Sequence, residues 1–425
     1  MLHVVWLIAA LLGPLVWLVP LLTETGTTGH CHTDQFLHCA IGPGGQALLT
    51  GFAIVSAAFL LSWATELAEE FVPPAFALIV LALISVLPEY AVDMHITWQA
   101  GQDPSYRALA VANMTGANRV LIGLGWTMVV FAHFFRSGER TLEAAPAQRL
   151  ELGFLLLATI YSLILPIRGH LSIMDSIVFI AIFGFYVARA LKTESEEHPL
   201  VGPAAWIHDR VGRGGRIAVI FVLGSYACWA IWLSAEPFAE GLIYLGGEME
   251  LFGMDADAKK FLLIQLVAPM ASESPEFIVA LLFVFRHRAT TALGALVSSK
   301  VNQWTLLVGA IPIVYAMSSG DWNLMTGMEL EEIPRRELLL TSAQSLFAIA
   351  VLSDLRFQVK EAVALVILFA GPWILIDVPG VDTYDVHVAA HEIGHNCGTY
   401  HTHDYGLDDC NELEAAPLRG PIMSY

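Results

Sequence analysis

Two glutamates, Glu89 and Glu276, each follow a proline inside an otherwise apolar run. The first run reads Ser85-Val86-Leu87-Pro88-Glu89-Tyr90 and the second Ser272-Glu273-Ser274-Pro275-Glu276-Phe277. A carboxylate surrounded by hydrocarbon is costly and needs an ion, a proton, a base or water beside it. The prolines lack a backbone N–H, so each frees a carbonyl of the preceding turn. Such carbonyls are tolerated, and can coordinate a cation, where they line a cavity rather than lipid. Helical spacing places Asp93 on the face of Glu89, Ser85 on that same face and Ser272 on the face of Glu276, with Glu273 one turn before Glu276. Carboxylates, hydroxyls, amides and carbonyls together make a hard, oxygen-rich cage of the kind that suits calcium. The competing reading is a structural lock in which Glu276 pairs with Lys300.

Each Pro-Glu run is followed by a stretch of small and amide residues. The first is Ala112-Asn113-Met114-Thr115-Gly116-Ala117-Asn118 and the second Gly294-Ala295-Leu296-Val297-Ser298-Ser299-Lys300. At these residues the chain resembles the two alpha repeats of the cation/calcium exchanger superfamily, which carry Thr-Ser-x-Pro-Glu and then Gly-Asn-x-x-Gly-Ser-Asn-x-x-Asn. The resemblance spans roughly 46–378. It implies that Glu89 and Glu276 are the principal ion-binding carboxylates, with Ser85, Asn113, Asn118 and Ser272 as ancillary ligands. It also implies exchange of Ca2+, or another small inorganic cation, for Na+ or H+. The chain departs from the pattern in several places. Lys300 stands where the second repeat has asparagine, Ala295 replaces another asparagine, Leu121 and Gln303 replace the last asparagine of each repeat, and Glu273 adds a carboxylate. A lysine inside such a cage either fills a cation subsite or carries the coupled proton, since buried lysine changes its protonation readily. Proton coupling therefore stands beside sodium coupling.

A second constellation lies at the end of the chain, where residues 391–401 form a complete H-E-x-x-H-x-x-G-x-x-H pattern. His391, His395 and His401 are spaced to offer three nitrogens to Zn2+, with Glu392 as general base. Pro421-Ile422-Met423-Ser424-Tyr425 reads as a Met-turn. The segment 381–425 resembles the active-site region of a metzincin protease, close to the reprolysin type. Fewer than about 50 residues cannot bury a sizeable core, and upstream lies a membrane span instead of the sheet a protease cleft needs. The expectation is a transporter and not an enzyme; the alternative is a membrane-anchored zinc protease or a fusion of the two. In the N-terminal loop Cys31 and Cys39 are placed for a disulfide, and His30, His32 and His38 offer a metal site instead. Cys397 and Cys410 form a second candidate pair.

The elements that must position these groups follow from composition. Of 425 residues, 56% are hydrophobic and 14% charged, against about 25% charged in a soluble domain. Apolar stretches of roughly 20 residues, each able to cross about 30 Å of hydrocarbon, recur at 2–22, 46–66, 74–97, 105–133, 150–167, 171–191, 214–235, 257–284, 289–317, 338–354 and 359–378. The expected fold is an all-α membrane protein. It has a ten-helix core, one extra N-terminal helix (a retained helix or a signal peptide) and a short tail outside the membrane. Arg and Lys concentrate in loops 134–149, 189–216 and 285–288 and near 356–360, which places these on the cytoplasmic side. It also places the tail outside the cytoplasm, and the chain in a plasma or inner membrane. The expected units are 1–45 (helix and loop), 46–191 (first five-helix repeat), 192–213 (cytoplasmic loop), 214–378 (second repeat, inverted relative to the first) and 379–425 (tail). A net charge of −19 excludes nucleic acid as a natural partner. The partners that remain are small cations and the lipid bilayer, and no obligatory protein partner is evident.

Overall fold

A computed structural model describes residues 2–17, 36–68, 70–71, 86–191, 200, 202–249 and 256–375. The expectations for Ser85, for the first half of the span 74–97 and for the whole tail fall outside these residues. So do those for the side chains of Cys31, Cys39 and the histidines beside them.

The described residues are almost entirely helical. In chain order the elements are α1 (Leu2–Leu12), α2 (Phe36–Ala68), α3 (Leu87–Gln102), α4 (Tyr106–Ser137), β1 (Thr141–Glu143), α5 (Gln148–Arg168), β2 (His170–Leu171), α6 (Ile173–Ala190), α7 (Gly202–Arg210), α8 (Arg213–Glu248), α9 (Ala256–Phe285), α10 (Ala289–Ser319), β3 (Met328–Glu329), α11 (Glu332–Leu352), β4 (Arg356–Gln358) and α12 (Val359–Leu375). Seven helices among the described residues are long and apolar enough to cross a membrane. Their outward faces carry Phe135, Ile167, Phe185, Phe221 and Trp232, side chains that a water-facing surface rarely gathers in such number.

Among the differences from expectation, three change how segments pack. The N-terminal helix stops at Leu12 and tightens into a 3-10 turn over Gly13–Trp17, where Pro14 removes a donor from the helix ladder. α8 continues beyond 235, through Pro237 to Glu248. The stretch expected to lie beyond the span keeps an apolar face, and Phe238, Ala239 and Leu242 bury that face in the main core. The connection expected as a plain cytoplasmic loop contains α7, whose Ala204 and Ile207 sink into a smaller cluster with Leu60, Leu67 and Ala227.

The main core joins α3, α4, α5, α6 and α8 through α12. Two tiny antiparallel ribbons clasp its ends. β1 pairs with β4, Leu142 opposite Phe357, and β2 pairs with β3, Leu171 opposite Met328. The β2–β3 ribbon is continued by one further backbone bond, Leu330 N–H to Gly169 O at 2.9 Å, and the β1–β4 ribbon by two, Ala144 N–H to Leu355 O at 2.8 Å and Val359 N–H to Arg140 O at 3.0 Å. α4 and α10 end alike, at Gly138 and Gly320 with φ of 78° and 77°. That left-handed conformation lets the N–H fold back onto the last helical turn.

α4 and α10 share a further irregularity. Both pass through a π-helical turn, Leu121–Trp126 in α4 and Gln303–Leu307 in α10, immediately after the Asn118 and Lys300 segments. Such turns leave carbonyls offset from the i−4 ladder and concentrate at functional sites.

Candidate functional site

The polar residues singled out in the apolar spans converge where α3, α4, α9 and α10 meet. α3 supplies Glu89 and Asp93, and Pro88 in its first turn costs no helical hydrogen bond. α9 supplies Ser272, Glu273 and Glu276, and Pro269 and Pro275 lie within it. α4 supplies Asn113 and Asn118; α10 supplies Ser299, Lys300 and Gln303. Glu89, Asp93, Asn113, Asn118, Glu273, Lys300 and Gln303 are all at most 3% exposed, and Glu276 is half-buried.

Side-chain bonds knit the cluster across helices. Asn113 Nδ2 donates to Asp93 Oδ1 at 2.7 Å. Ser299 Oγ donates to Glu276 Oε2 at 2.8 Å. Gln303 Nε2 donates to both Glu89 Oε2 and Glu273 Oε1, each at 2.9 Å. This one amide joins the carboxylates of the two Pro-Glu segments. The charges of Glu273, Asp93 and Glu276 all lie within electrostatic range of Glu89.

Lys300 does not pair with Glu276, the partner that a structural lock requires. Its ammonium donates to Asn118 Oδ1 at 2.7 Å and to the Asn118 carbonyl at 3.1 Å. It also lies 4.6 Å from the centroid of the Trp304 ring, a cation–π contact that strengthens when desolvated. Lys300 Nζ is thus tethered to Asn118 on α4, with Glu273 and Glu89 within its electrostatic range. Ser272 turns back into its own helix and donates to the carbonyls of Ala268 and Pro269, both at 3.2 Å. Of the residues named from sequence, Glu89, Asp93, Asn113, Asn118, Glu273, Glu276 and Lys300 are brought together, and Ser272 lines the same helix.

Five buried oxygens, Glu89 Oε1, Asp93 Oδ2, Asn113 Oδ1, Glu273 Oε2 and Gln303 Oε1, have no hydrogen-bond partner among the described residues. A buried, unsatisfied polar atom costs about 1–3 kcal/mol, and more when charged. Five in one cluster form an all-oxygen set that cations, protons or water can satisfy. This is the donor chemistry of a hard cation site.

Sequence reading missed Gln303 as a site residue, since it registered only as a replaced asparagine. The available signal was its place in the repeat, which put a hydrogen-bonding amide at the position of a ligand. Glu151 was missed altogether. It sits on α5 and takes a hydrogen bond from Ser298, next to the Ser299 that holds Glu276, and a longer one from Tyr186 at 3.5 Å.

The backbone crossing of α4 and α9 holds the cluster together. A Cβ built on Gly116 would lie 1.8 Å from the Gln265 carbonyl oxygen, the carbonyl that Pro269 cannot bond. Only glycine permits that approach. Near it, Glu337 Oε2 on α11 accepts from Arg119 NH1 at 2.5 Å and from Gln265 Nε2 at 2.6 Å, so α4, α9 and α11 share one buried charged junction.

Residues 42–192 and 219–374 match the family model described as sodium/calcium exchanger protein. A crystal structure titled as the H+/Ca2+ exchanger CAX is 40% identical, covers 92% of each chain and superposes with a TM-score of 0.80. The structure of native YfkE is 15% identical over 88% of this chain and 98% of its own, with a TM-score of 0.57. The sodium-calcium exchanger NCX_Mj is 16% identical over 79% of this chain and 97% of its own, with a TM-score of 0.51. The last two are alike in fold. No curated protein matches the chain in sequence.

Proposed function

Because the chain belongs to the sodium/calcium exchanger protein family, we propose that it is a multi-pass secondary antiporter. It exchanges Ca2+ for a counter-ion at the cluster of Glu89, Asp93, Glu273 and Glu276, by alternating access from the two sides of the membrane. One observation carries this reading. Carboxylates from two Pro-Glu helices meet on the amide of Gln303, in a buried set of oxygens that lacks partners among the described residues. Asn113 and Asn118 complete the set as ancillary groups, and Ser85 and Ser272 flank the two Pro-Glu turns.

The counter-ion we favour is H+. Lys300 brings an amine, a built-in cation when protonated, to the place where the family pattern has an asparagine, and its Nζ already satisfies the oxygen of Asn118. A site that contains its own positive charge has less need of sodium. Four carboxylates in one dry volume cannot all remain ionised without Ca2+, so release of the metal calls for protons in its place. The relative named as an H+/Ca2+ exchanger is consistent with this.

The reading includes two inverted five-helix halves, 46–191 and 214–378, with 192–213 between them. Its support is the correspondence of the two ribbons and their extra backbone bonds, of Gly138 with Gly320 and of the two π-helical turns. A site at the interface of such halves is the common transporter arrangement. Basic loops set the orientation, with β1 and β4 on the cytoplasmic side of a plasma or inner membrane. The family match ends at residue 374, ahead of the tail. Zinc held by His391, His395 and His401, with Glu392 beside it, is a separate reading of residues that transport does not need.

The test is flux in reconstituted vesicles. An imposed pH gradient is expected to drive Ca2+ uptake, and Glu89→Gln and Glu276→Gln are each expected to abolish it. Full flux in both variants would remove the site assignment. Flux driven by a sodium gradient alone would replace H+ by Na+.

A further inference from the structure

Outside the carboxylate cluster, three groups with metal-binding chemistry meet where α3 faces α8. His95 lies on α3, about two turns (roughly 9 Å) past Glu89. Glu236 and Glu240 lie one turn apart on α8, on one face of the stretch that extends beyond the expected span. One ligand atom from each of the three falls within 4.8 Å of the others. Nε2 of His95 is itself buried and makes no hydrogen bond with any described residue, although an imidazole nitrogen ordinarily finds a partner when buried. Glu236 is exposed and Glu240 half-buried, so the cluster opens toward water on one side. It is separate from the transport cluster, whose side chains reach α4, α9 and α10 rather than α8.

We propose that His95, Glu236 and Glu240 form a second cation site, selective for a divalent transition metal of the Zn2+ class, which clamps α3 to α8. The donor set decides the selectivity. One imidazole nitrogen and two carboxylate oxygens are ligand types that zinc accepts, and three of them leave a fourth tetrahedral position for water. Calcium takes six to eight oxygens and gains little from nitrogen. Imidazole favours Zn2+ and its neighbours over Ca2+ and Mg2+.

The consequence for transport rests on the antiport reading. α3 carries Glu89 and Asp93, whereas α8 opens the second half and packs along α2 and α3. A metal bridging α3 and α8 fixes the distance between a site helix and a helix of the other half. Alternating access needs the halves to move against each other, so the occupied clamp holds one conformation and stops exchange.

The experiment uses the full chain purified in detergent, with His391→Ala and His395→Ala in every sample so that the tail contributes no zinc. Equilibrium dialysis against Zn2+ is expected to find one site fewer in His95→Ala than in the parent, and Glu236→Gln is expected to weaken that same site at least tenfold. Glu236 is exposed, so its substitution leaves folding intact and guards against a trivial loss. In vesicles, micromolar Zn2+ on the side bearing Glu236 is expected to block Ca2+ flux. His95→Ala and Glu236→Gln are expected to restore the flux without changing its rate in the absence of zinc. Equal zinc stoichiometry in all variants would overturn the site. A site present in dialysis but without effect on flux would overturn the clamp. If no gradient drives Ca2+ in the parent chain, the antiport reading fails while the dialysis result still stands or falls alone.

Discussion

Replacing Gly116 by alanine adds a single methyl group, yet it is expected to disable transport. The new Cβ would lie 1.8 Å from the Gln265 carbonyl oxygen and 2.6 Å from its carbon. Ordinary contact between such atoms needs about 3.4 Å or more, so the crossing of α4 and α9 would have to open by roughly 1.5 Å. Neither side can yield by rotating a side chain, because the obstacle is backbone. Overpacking of this kind costs about 1–3 kcal/mol, and here it is concentrated at a functional crossing. Asn113 and Asn118 ride on α4, and Glu273 and Glu276 on α9. Binding geometry tolerates about 0.5 Å, and a displacement of about 1 Å can cost on the order of a hundredfold in rate. Gly116→Ala is therefore expected to lower pH-driven Ca2+ uptake in vesicles at least tenfold and to lower the melting temperature. The control is Gly153→Ala on α5, where a Cβ meets nothing within 4 Å. That variant is expected to transport normally and, as an alanine in a helix, to be slightly more stable. Normal uptake kinetics in Gly116→Ala would refute the claim that this backbone contact sets the spacing of the site.

Gln303→Leu keeps the volume but removes both donors, leaving Glu89 Oε2 and Glu273 Oε1 unpaired. Hydrogen bonds to charged groups contribute about 1.5–3 kcal/mol each, so the pH dependence of Ca2+ uptake is expected to shift and the rate to fall at least tenfold; an unchanged pH profile would show that the bridge is incidental. Lys300→Asn restores the family residue and removes the internal cation beside Glu273 and Glu89. Sodium is expected to leave Ca2+ uptake by the parent chain unchanged and to compete with it in the variant, and indifference to sodium in the variant would sink the tethered-lysine reading. Deleting residues 381–425 is expected to leave the rate of Ca2+ exchange unchanged within twofold, measured in the same vesicles; lost exchange at normal folded yield would mean that the tail serves transport. Casein cleavage by the full chain, abolished by Glu392→Ala, would instead raise the protease reading to a function.

Local pattern alone determined much of this protein. Runs of apolar residues long enough to span hydrocarbon identify membrane helices, because no partner segment is needed to satisfy a helical backbone in lipid. A proline beside a glutamate inside such a run marks a costly group that must serve a purpose, and its appearance twice pointed to a pair of sites. For the same reason Glu89, Asp93, Glu273 and Glu276 were legible as a set, whereas Asn113 and Asn118 entered through the resemblance to the exchanger repeats. Tertiary structure decided the rest, because contacts between helices depend on crossing geometry that no local period encodes. Gln303 stands 214 and 30 positions from the two carboxylates it joins, and as a lone amide in a helix it carries no signal of that role. Lys300 lies near Glu273 and Glu276 in sequence, but the helix crossing turns its ammonium to Asn118, 182 residues away. The extension of α8 past 235 depended on a packing face that its acidic residues disguise. The meeting of His95 with Glu236 and Glu240 follows from that extension, since the two glutamates share a face only because the chain remains helical there.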